Sequence, residues 1–135
     1  MNAAVSVNPV LPLVGRILIS ALFLTAGARK AVTFAGTVGY LAKLGFPAPE
    51  VMAVIAIVIE IGASILLIIG WRTRWVAWLL ALFVLIATFA AHRFWEFEAT
   101  QLQNQLNHFL KNFAIIGALL LVAGFGAGPT SVDKA

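Results

Sequence analysis

Four long apolar runs divide the chain and predict four membrane-spanning helices. A helix of about 20 mostly apolar residues is long enough to cross the hydrocarbon core of a bilayer. Strands of a membrane barrel would instead alternate apolar and polar positions over about ten residues. Because a helix satisfies its own backbone hydrogen bonds in lipid, the pattern predicts an all-α bundle. The predicted spans cover residues 10–28, 51–69, 75–91 and 109–125.

Two segments between the spans are predicted to lie at the membrane surface. After the first span, Phe34, Val38, Leu41 and Leu44 recur at the spacing of an amphipathic helix, and the alternative is an irregular loop. Before the fourth span, residues 99–108 include five Gln and Asn residues and predict a second, partly helical surface segment. The links are short, so neighbouring spans are antiparallel and both ends of the chain lie on one side.

The composition excludes the main soluble classes of protein. Of 135 residues, 62% are hydrophobic and 10% are charged, whereas a soluble domain is about 25% charged. A chain this short cannot bury that much apolar surface in a core, and a disordered chain would be far more polar. Four spans leave no room for a soluble domain, so we predict one membrane domain over residues 1–135. The absence of cysteine excludes disulfides and thiolate metal sites.

The net charge of +4 follows from nine Lys and Arg against five Asp and Glu. The basic residues flank the apolar runs singly or in pairs, which is typical of a membrane boundary and not of a nucleic-acid partner. The positive-inside rule weakly favours a cytoplasmic location for the side opposite the chain ends. That side carries Arg29, Lys30, Lys43, Arg93 and Lys111, and the side of the ends carries Arg72, Arg74 and Lys134.

Two charged residues within the apolar runs are candidate functional residues. Arg16 lies in the first predicted span, and Glu60 lies near the middle of the second. A charge at that depth costs about 2.5–3.5 kcal/mol on insertion scales, so it usually has a partner in the bundle interior. Counted from the side of the chain ends, Arg16 lies about 7 Å deep and Glu60 about 13 Å deep. We therefore predict an Arg16–Glu60 ion pair. It fixes helix register, or it forms a polar pocket where Glu60 handles a proton or binds a polar ligand group and Arg16 tunes it, and the two roles are compatible.

A second polar cluster is predicted near the opposite membrane surface, beside several Phe and Trp residues. Histidine titrates near neutral pH, so its histidines are suited to donate a hydrogen bond to a quinone carbonyl or to pass a proton. Alternatively they are ordinary interfacial residues, or haem ligands without an attachment motif. A metal site would need more ligands than are evident. The residues of this candidate quinone and proton site are Lys30, Thr88, His92, His108 and Asn112.

Short motifs follow one another in a defined order through residues 13–122. They are Gly15-Arg16 with Leu18, Phe23, Gly27 and Lys30, then Gly45-Phe46-Pro47, Glu60-x-Gly62, Leu66-Leu67, Gly70, Thr73-Arg74, Ala87-Thr88, His92-x-Phe94, and Phe109-x-Lys111-Asn112-x-Ala114-x-x-Gly117. Each motif alone is short and apolar, but their order and spacing together resemble the DoxX family of small four-span bacterial membrane proteins.

This resemblance implies a multi-pass protein of the bacterial inner membrane. The family is named for a subunit of a thiosulfate:quinone oxidoreductase, so it implies an accessory or quinone-interacting subunit of a membrane oxidoreductase complex. The polar positions that it implies are Arg16, Lys30, Glu60, His92 and Asn112. We expect no covalently bound cofactor, so a quinone or a partner subunit would carry the electrons. Two alternatives remain open: a structural or assembly protein without chemistry of its own, and a small transporter acting as a homo-oligomer.

Overall fold

A computed structural model describes residues 8–133, and within that range the chain is helical with no strand. Four helical segments are long and apolar enough to cross a membrane, which confirms the predicted all-α, four-span class. The helices are α1 (Val10–Val32), α2 (Phe34–Lys43), α3 (Pro49–Val58), α4 (Ser64–Ile69), α5 (Thr73–Ala91) and α6 (Ala99–Phe125). A π-helical segment, Ile59–Ala63, joins α3 to α4, and a 3₁₀ turn, Phe94–Glu96, follows α5.

The surface helix predicted after the first span is present as α2. It begins directly after a break at Thr33, where the backbone leaves helical geometry, and it ends before Gly45, whose φ is +85°. The second predicted surface segment is different. Residues 99–108 form the first turns of α6, because no proline interrupts the sequence between Ala99 and Phe125.

The bundle is built from two helical pairs. α1 packs against α3, the π segment and α4, while α5 packs antiparallel to α6 along its length. The two pairs meet in a core of large apolar side chains and small alanines, and alanine lets helix backbones approach closely in a membrane. This core consists of Phe23, Ala63, Leu67, Val76, Ala77, Leu80, Ala81, Val84, Leu119 and Ala123.

The residues after α6 return across one end of the bundle. Their backbone amides donate to the end of α4, from Val132 to the Ile69 carbonyl (3.0 Å) and from Asp133 to the Gly70 carbonyl (2.7 Å). The Thr130 hydroxyl donates to the Pro9 carbonyl at 3.1 Å, so the two described ends of the chain lie together, as predicted. We call Thr130–Asp133 the C-terminal clasp. Lys134, which the sequence placed on this side, lies outside the described residues.

Candidate functional site

Arg16 is held by backbone carbonyls at the end of α4. Its side chain is fully buried, and Nη1 donates to the carbonyls of Leu67 (2.9 Å) and Ile68 (2.6 Å). Nη2 donates to the carbonyl of Thr130 in the C-terminal clasp. The last carbonyls of a helix carry its negative dipole end, so a cation is well placed there. Arg16 therefore joins α1, α4 and the clasp.

The predicted Arg16–Glu60 ion pair is wrong. A Cβ on Gly27 would lie 3.1 Å from the Glu60 Cβ, so Gly27 marks the level of Glu60 on α1. Arg16 lies eleven residues earlier, about 16 Å away along the helix axis at 1.5 Å per residue. The prediction assumed that the ends of the first two spans are level. In the structure Arg16 is level with Leu67 and Ile68, so the first turns of α1 extend past the end of α4.

Lys30 is the cation that binds Glu60. Its Nζ lies 2.8 Å from Oε1 and 3.0 Å from Oε2, so the ammonium contacts both carboxylate oxygens. The Glu60 side chain is almost entirely buried, with 5% exposed, whereas 33% of the Lys30 side chain is exposed. The carboxylate is therefore fixed inside the bundle, while the ammonium lies partly at an opening.

The π-helical segment positions Glu60. A π turn inside an α-helix widens the helix locally, and such turns are frequent at functional sites. The Ser64 hydroxyl donates to the Glu60 carbonyl, and the Ser20 hydroxyl of α1 donates to the Ser64 carbonyl at 3.1 Å. Both serines are fully buried. The backbone around Glu60 is therefore joined to α1 by hydrogen bonds of Ser64 and Ser20 in addition to the side-chain contact with Lys30.

A cavity of about 380 Å³ opens beside the Lys30–Glu60 pair, and we call it the membrane cavity. It lies between α2, α3 and α5, and its walls are mostly Leu, Ile, Ala, Phe and Met side chains. Ligand sites for small molecules have this character, with apolar walls and a few polar groups that fix orientation. The residues with polar side chains at the wall are Lys30, Thr37, Tyr40, Glu60 and His92.

The other predicted site residues lie between α5 and α6. The Asn112 amide donates to the Thr88 hydroxyl at 2.9 Å, and the rings of His92 and His108 stack with centroids 4.9 Å apart. The Nδ1 of His92 lies 2.8 Å from the Gln105 amide oxygen. Only Lys30 and His92 of the five predicted residues line the membrane cavity, so the predicted cluster is divided. His92 connects its two parts.

Edge-to-face aromatic contacts surround the histidine end of α5. Phe89 and Phe109 lie with ring centroids 5.6 Å apart, and Phe94 and Phe109 with centroids 5.3 Å apart. Such pairs add about 0.5–1.5 kcal/mol beyond their buried area. They hold the 3₁₀ turn against α6, which fixes His92 at the end of α5.

Comparison with known proteins identifies the family. The family model of DoxX matches residues 11–93, more than half of the chain. The chain belongs to the DoxX family. It is 38% identical to the inner membrane protein YphA of Escherichia coli, over 94% of this chain and 91% of that protein. It is 35% identical to the inner membrane protein YqjF of the same organism, over 90% and 88%.

This DoxX protein is a multi-pass protein of the bacterial inner membrane, since its E. coli relatives are inner membrane proteins and four of its helices are long enough to span. It is also 32% identical to the ER-derived vesicles protein ERV29 of Saccharomyces cerevisiae, over 58% of this chain but 25% of that protein. No solved structure matches it significantly.

Sequence reasoning missed the contribution of α2 to the site of this DoxX protein. Thr37, Tyr40, Leu41 and Leu44 of α2, with Phe46 after it, line the membrane cavity. The amphipathic spacing placed α2 at the surface but said nothing about which helix it covers. In the structure α2 folds back over α3, so part of its apolar face closes the cavity and does not enter lipid.

Proposed function

We propose that this DoxX protein is a quinone-binding accessory subunit of a membrane oxidoreductase complex. The observation that carries this proposal is the membrane cavity with the Lys30–Glu60 pair at its wall. A quinone has a polar ring bearing two carbonyl oxygens and an apolar tail. The cavity combines an ammonium and a carboxylate with apolar walls, which is the chemistry such a molecule requires.

Each polar residue of the membrane cavity would make a different contact with the quinone. The partly exposed Lys30 ammonium has donors for a quinone oxygen, and the Glu60 carboxylate accepts a hydrogen bond from a quinol hydroxyl. His92 lies at the same wall, and because an imidazole ring can donate one hydrogen bond and accept another, it is suited to exchange a proton with the ring. A bound quinone supplies two-electron, two-proton redox chemistry. The residues of this chain would bind it, orient it and hold protons.

Electrons would come from a partner subunit. The chain has no cysteine, so it has no thiol couple or thiolate cluster of its own. Among residues 8–133, no group of three or more His, Cys, Asp and Glu side chains lies close enough to hold a metal ion. In the proposed complex, this chain is therefore the subunit that holds the quinone, and a neighbouring subunit carries the electron donor.

The test is titration of the detergent-purified protein with a short-tailed quinone, followed by tryptophan fluorescence. Glu60→Gln and Lys30→Met each remove a charge that would contact the ring, and charged hydrogen bonds contribute about 1.5–3 kcal/mol. We therefore expect the Kd to rise by about tenfold or more in each variant. His92→Ala should also weaken binding. Circular dichroism and a melting curve establish that each variant is folded.

Matched controls distinguish quinone binding in the membrane cavity from partition of the quinone into detergent micelles. Glu50→Gln and Lys43→Met make the same chemical changes at exposed positions outside the membrane cavity, and they should leave Kd unchanged. Ala87→Phe fills part of the membrane cavity while keeping both charges of the ion pair, and it should abolish saturable binding. Equal Kd in all variants would contradict the proposal, and so would a folded wild-type protein without saturable binding.

The buried contacts of Arg16 favour a second candidate function, that of a structural or assembly protein without chemistry of its own. Arg16 binds only carbonyls of its own chain among residues 8–133, so it serves the fold and not a ligand. If quinone binding is absent, the structural alternative predicts that Glu60→Gln lowers two quantities together: the melting temperature of this protein and the yield of the complex that co-purifies with it. A transport role predicts solute flux in liposomes that depends on Glu60.

A further inference from the structure

A second cavity, of about 460 Å³, lies at the opposite end of the bundle and is separate from the membrane cavity. It is formed by the start of α5 and the segment that follows α6, and we call it the end cavity. Its wall carries two arginines, two aromatic side chains and several backbone groups. The lining residues are Arg72, Thr73, Arg74, Trp75, Phe125, Gly126, Ala127, Gly128, Pro129 and Asp133.

The two arginines of the end cavity have no carboxylate in a salt bridge with them in the part of the chain that the structure describes. The salt bridges among residues 8–133 are Lys30–Glu60 and Arg93–Glu96, so neither Arg72 nor Arg74 takes part in one. Arg74 donates from Nη1 to the Gly124 carbonyl (2.7 Å), which leaves Nε and Nη2 for a ligand. Arg72 lies over the Trp71 ring, with Cζ 5.4 Å from the ring centroid.

The single acidic residue in the lining has other partners. Both carboxylate oxygens of Asp133 accept backbone amides at the start of α5, from Arg72 (2.7 Å) and Thr73 (2.7 Å). The buried Arg16 guanidinium also interacts electrostatically with this carboxylate. The charge of Asp133 is thus balanced inside the protein, and the cavity retains an excess of positive charge.

Thr73 connects Asp133 to the wall of the end cavity. Its backbone amide donates to the Asp133 carboxylate at 2.7 Å, and its fully buried hydroxyl lies beside the same carboxylate. The hydroxyl is therefore enclosed by the protein, and the polar side chains that the end cavity offers to a ligand are those of its two arginines.

The position of the end cavity identifies the ligand class. Trp71, Trp75 and Trp78 are exposed at the start of α5, and tryptophan is enriched at the level of the lipid headgroups. Trp75 and Phe125 are 74% and 84% exposed and border the cavity, so apolar side chains face lipid beside the arginines. Arginine binds phosphate with two parallel hydrogen bonds.

We propose that the end cavity binds the phosphate of an anionic phospholipid, with the acyl chains against Trp75 and Phe125. Arg72 and the Nε and Nη2 atoms of Arg74 would contact the phosphate. Because Arg74 also donates to the Ala123 and Gly124 carbonyls, a bound lipid would stabilise the junction of α5 and α6.

The test measures melting temperature and lipid retention in native mass spectra of the delipidated protein. The additions are phosphatidylglycerol, phosphatidylcholine and inorganic phosphate, each in the same detergent. We expect phosphatidylglycerol to raise the melting temperature by several degrees more than phosphatidylcholine, and inorganic phosphate to have no comparable effect. One retained phosphatidylglycerol per chain is expected in the spectra. Stabilisation by inorganic phosphate equal to that by phosphatidylglycerol would overturn the proposal of a lipid site.

Variants locate the site. Arg72→Gln removes one proposed phosphate contact without breaking a hydrogen bond of the Arg72 side chain within the described residues, and it should remove at least half of the phosphatidylglycerol effect. Arg74→Lys keeps the charge but loses the bidentate geometry, so it should weaken retention. Arg29→Gln changes an exposed arginine at the other end of the bundle and should retain the full effect. Equal effects in Arg72→Gln and Arg29→Gln would overturn the proposed location.

Discussion

The two charges buried in this bundle are stabilised in different ways. Arg16 donates to carbonyl oxygens at a helix end, which are neutral groups carrying partial negative charge. Glu60 has a full counter-charge in Lys30, and its backbone carbonyl is held by Ser64. The first arrangement joins chain segments, and the guanidinium is buried away from any opening. The second leaves an ammonium one-third exposed at a cavity, which is why it is the candidate site.

The Lys30–Glu60 pair predicts strong non-additivity between mutations. Lys30→Met or Glu60→Gln alone leaves an unpaired charge at the bundle interior, whereas the double variant removes both charges. We expect the double variant to be more stable than the sum of single effects predicts, by about 1–3 kcal/mol of coupling. Reversible unfolding in mixed micelles measures the free energy of unfolding.

A second mutant cycle serves as the control for this pair. Arg16→Gln and Glu60→Gln alter the charges that the sequence alone would pair, but the structure separates them by about 16 Å along the helix axis. Their effects should add to within about 0.5 kcal/mol. Strong coupling in this cycle, or none between Lys30 and Glu60, would contradict the observed pairing.

Asp133 predicts a pH dependence of stability at the end of the bundle. Burial alone would raise the pKa of Asp133, but the amide and hydroxyl of Thr73, the amide of Arg72 and the charge of Arg16 hold it below its usual 3.8. A carboxyl whose folded pKa is depressed stabilises the fold fully above its unfolded pKa and loses that contribution as pH falls. Wild type should therefore melt above Asp133→Asn near neutral pH, and the difference should vanish in strong acid.

The experiment compares the two melting curves from about pH 7 to about pH 2. Glu98→Gln is a suitable control, because Glu98 is exposed and distant in sequence from the clasp. Its difference from wild type should stay small throughout. If the melting temperatures of wild type and Asp133→Asn differed by the same amount at every pH, the charge of Asp133 would not be the cause of its contribution to stability.

At the level of helices, the close approach of α1 to the π segment depends on Gly27. A Cβ at this position would lie 2.8 Å from the Ile61 Cγ1 and 3.1 Å from the Glu60 Cβ. Gly27→Ala should therefore push α1 away from the π segment and cost about 1–3 kcal/mol of stability. It should also weaken quinone binding, since Lys30 lies one turn further along α1.

Gly15→Ala is the matched control for this prediction. Gly15 lies in the same helix, and a Cβ there meets no atom within 4 Å. Because alanine is the better helix former, this variant should be as stable as wild type or gain about 0.5–1 kcal/mol. Equal destabilisation by the two substitutions would show that the contact with Ile61 does not determine the Gly27 effect.

The elements visible in the sequence are those that periodicity and length define. The four spans and the helix at 34–43 follow from apolar runs and spacing, because each depends on its own residues. The π segment is different. Ala53, Ala56, Ala63 and Leu67 recur at ordinary helical spacing, so the pattern gives no sign that Ile59–Ala63 widens. The correct partner of Glu60 also depends on how far α1 slides past α4, which is a tertiary property.

At the scale of the whole molecule, one end is closed by the clasp and the other end holds the candidate site. Arg16, the end of α4 and residues 130–133 form a continuous set of hydrogen bonds at the closed end. The membrane cavity lies towards the other end, where α2 covers α3. The sequence did not predict that residues 130–133 bind the end of α4, because Thr, Ser and Asp are equally typical of a C-terminal tail that makes no contacts.

The clasp predicts that a short truncation has a large effect on stability. Ending the chain after Pro129 removes the Thr130 carbonyl that Arg16 binds and the Asp133 carboxylate that accepts amides at the start of α5. Leaving a buried charge short of partners and a helix end uncapped should cost about 3 kcal/mol or more. The melting temperature should therefore fall by several degrees, although few residues are lost.

Two further variants show whether the loss of stability comes from the contacts of the clasp or from the shortening of the chain. Replacing Thr130 and Ser131 with alanine removes their hydroxyls but keeps the Thr130 carbonyl and the backbone bonds to Ile69 and Gly70, so this protein should melt within a few degrees of wild type. Arg16→Met in the full chain should lose about as much stability as the truncation. Combining Arg16→Met with the truncation should add little, because both remove the same interactions. Fully additive losses would mean that Arg16 and the clasp stabilise the bundle independently, which the shared carbonyl of Thr130 argues against.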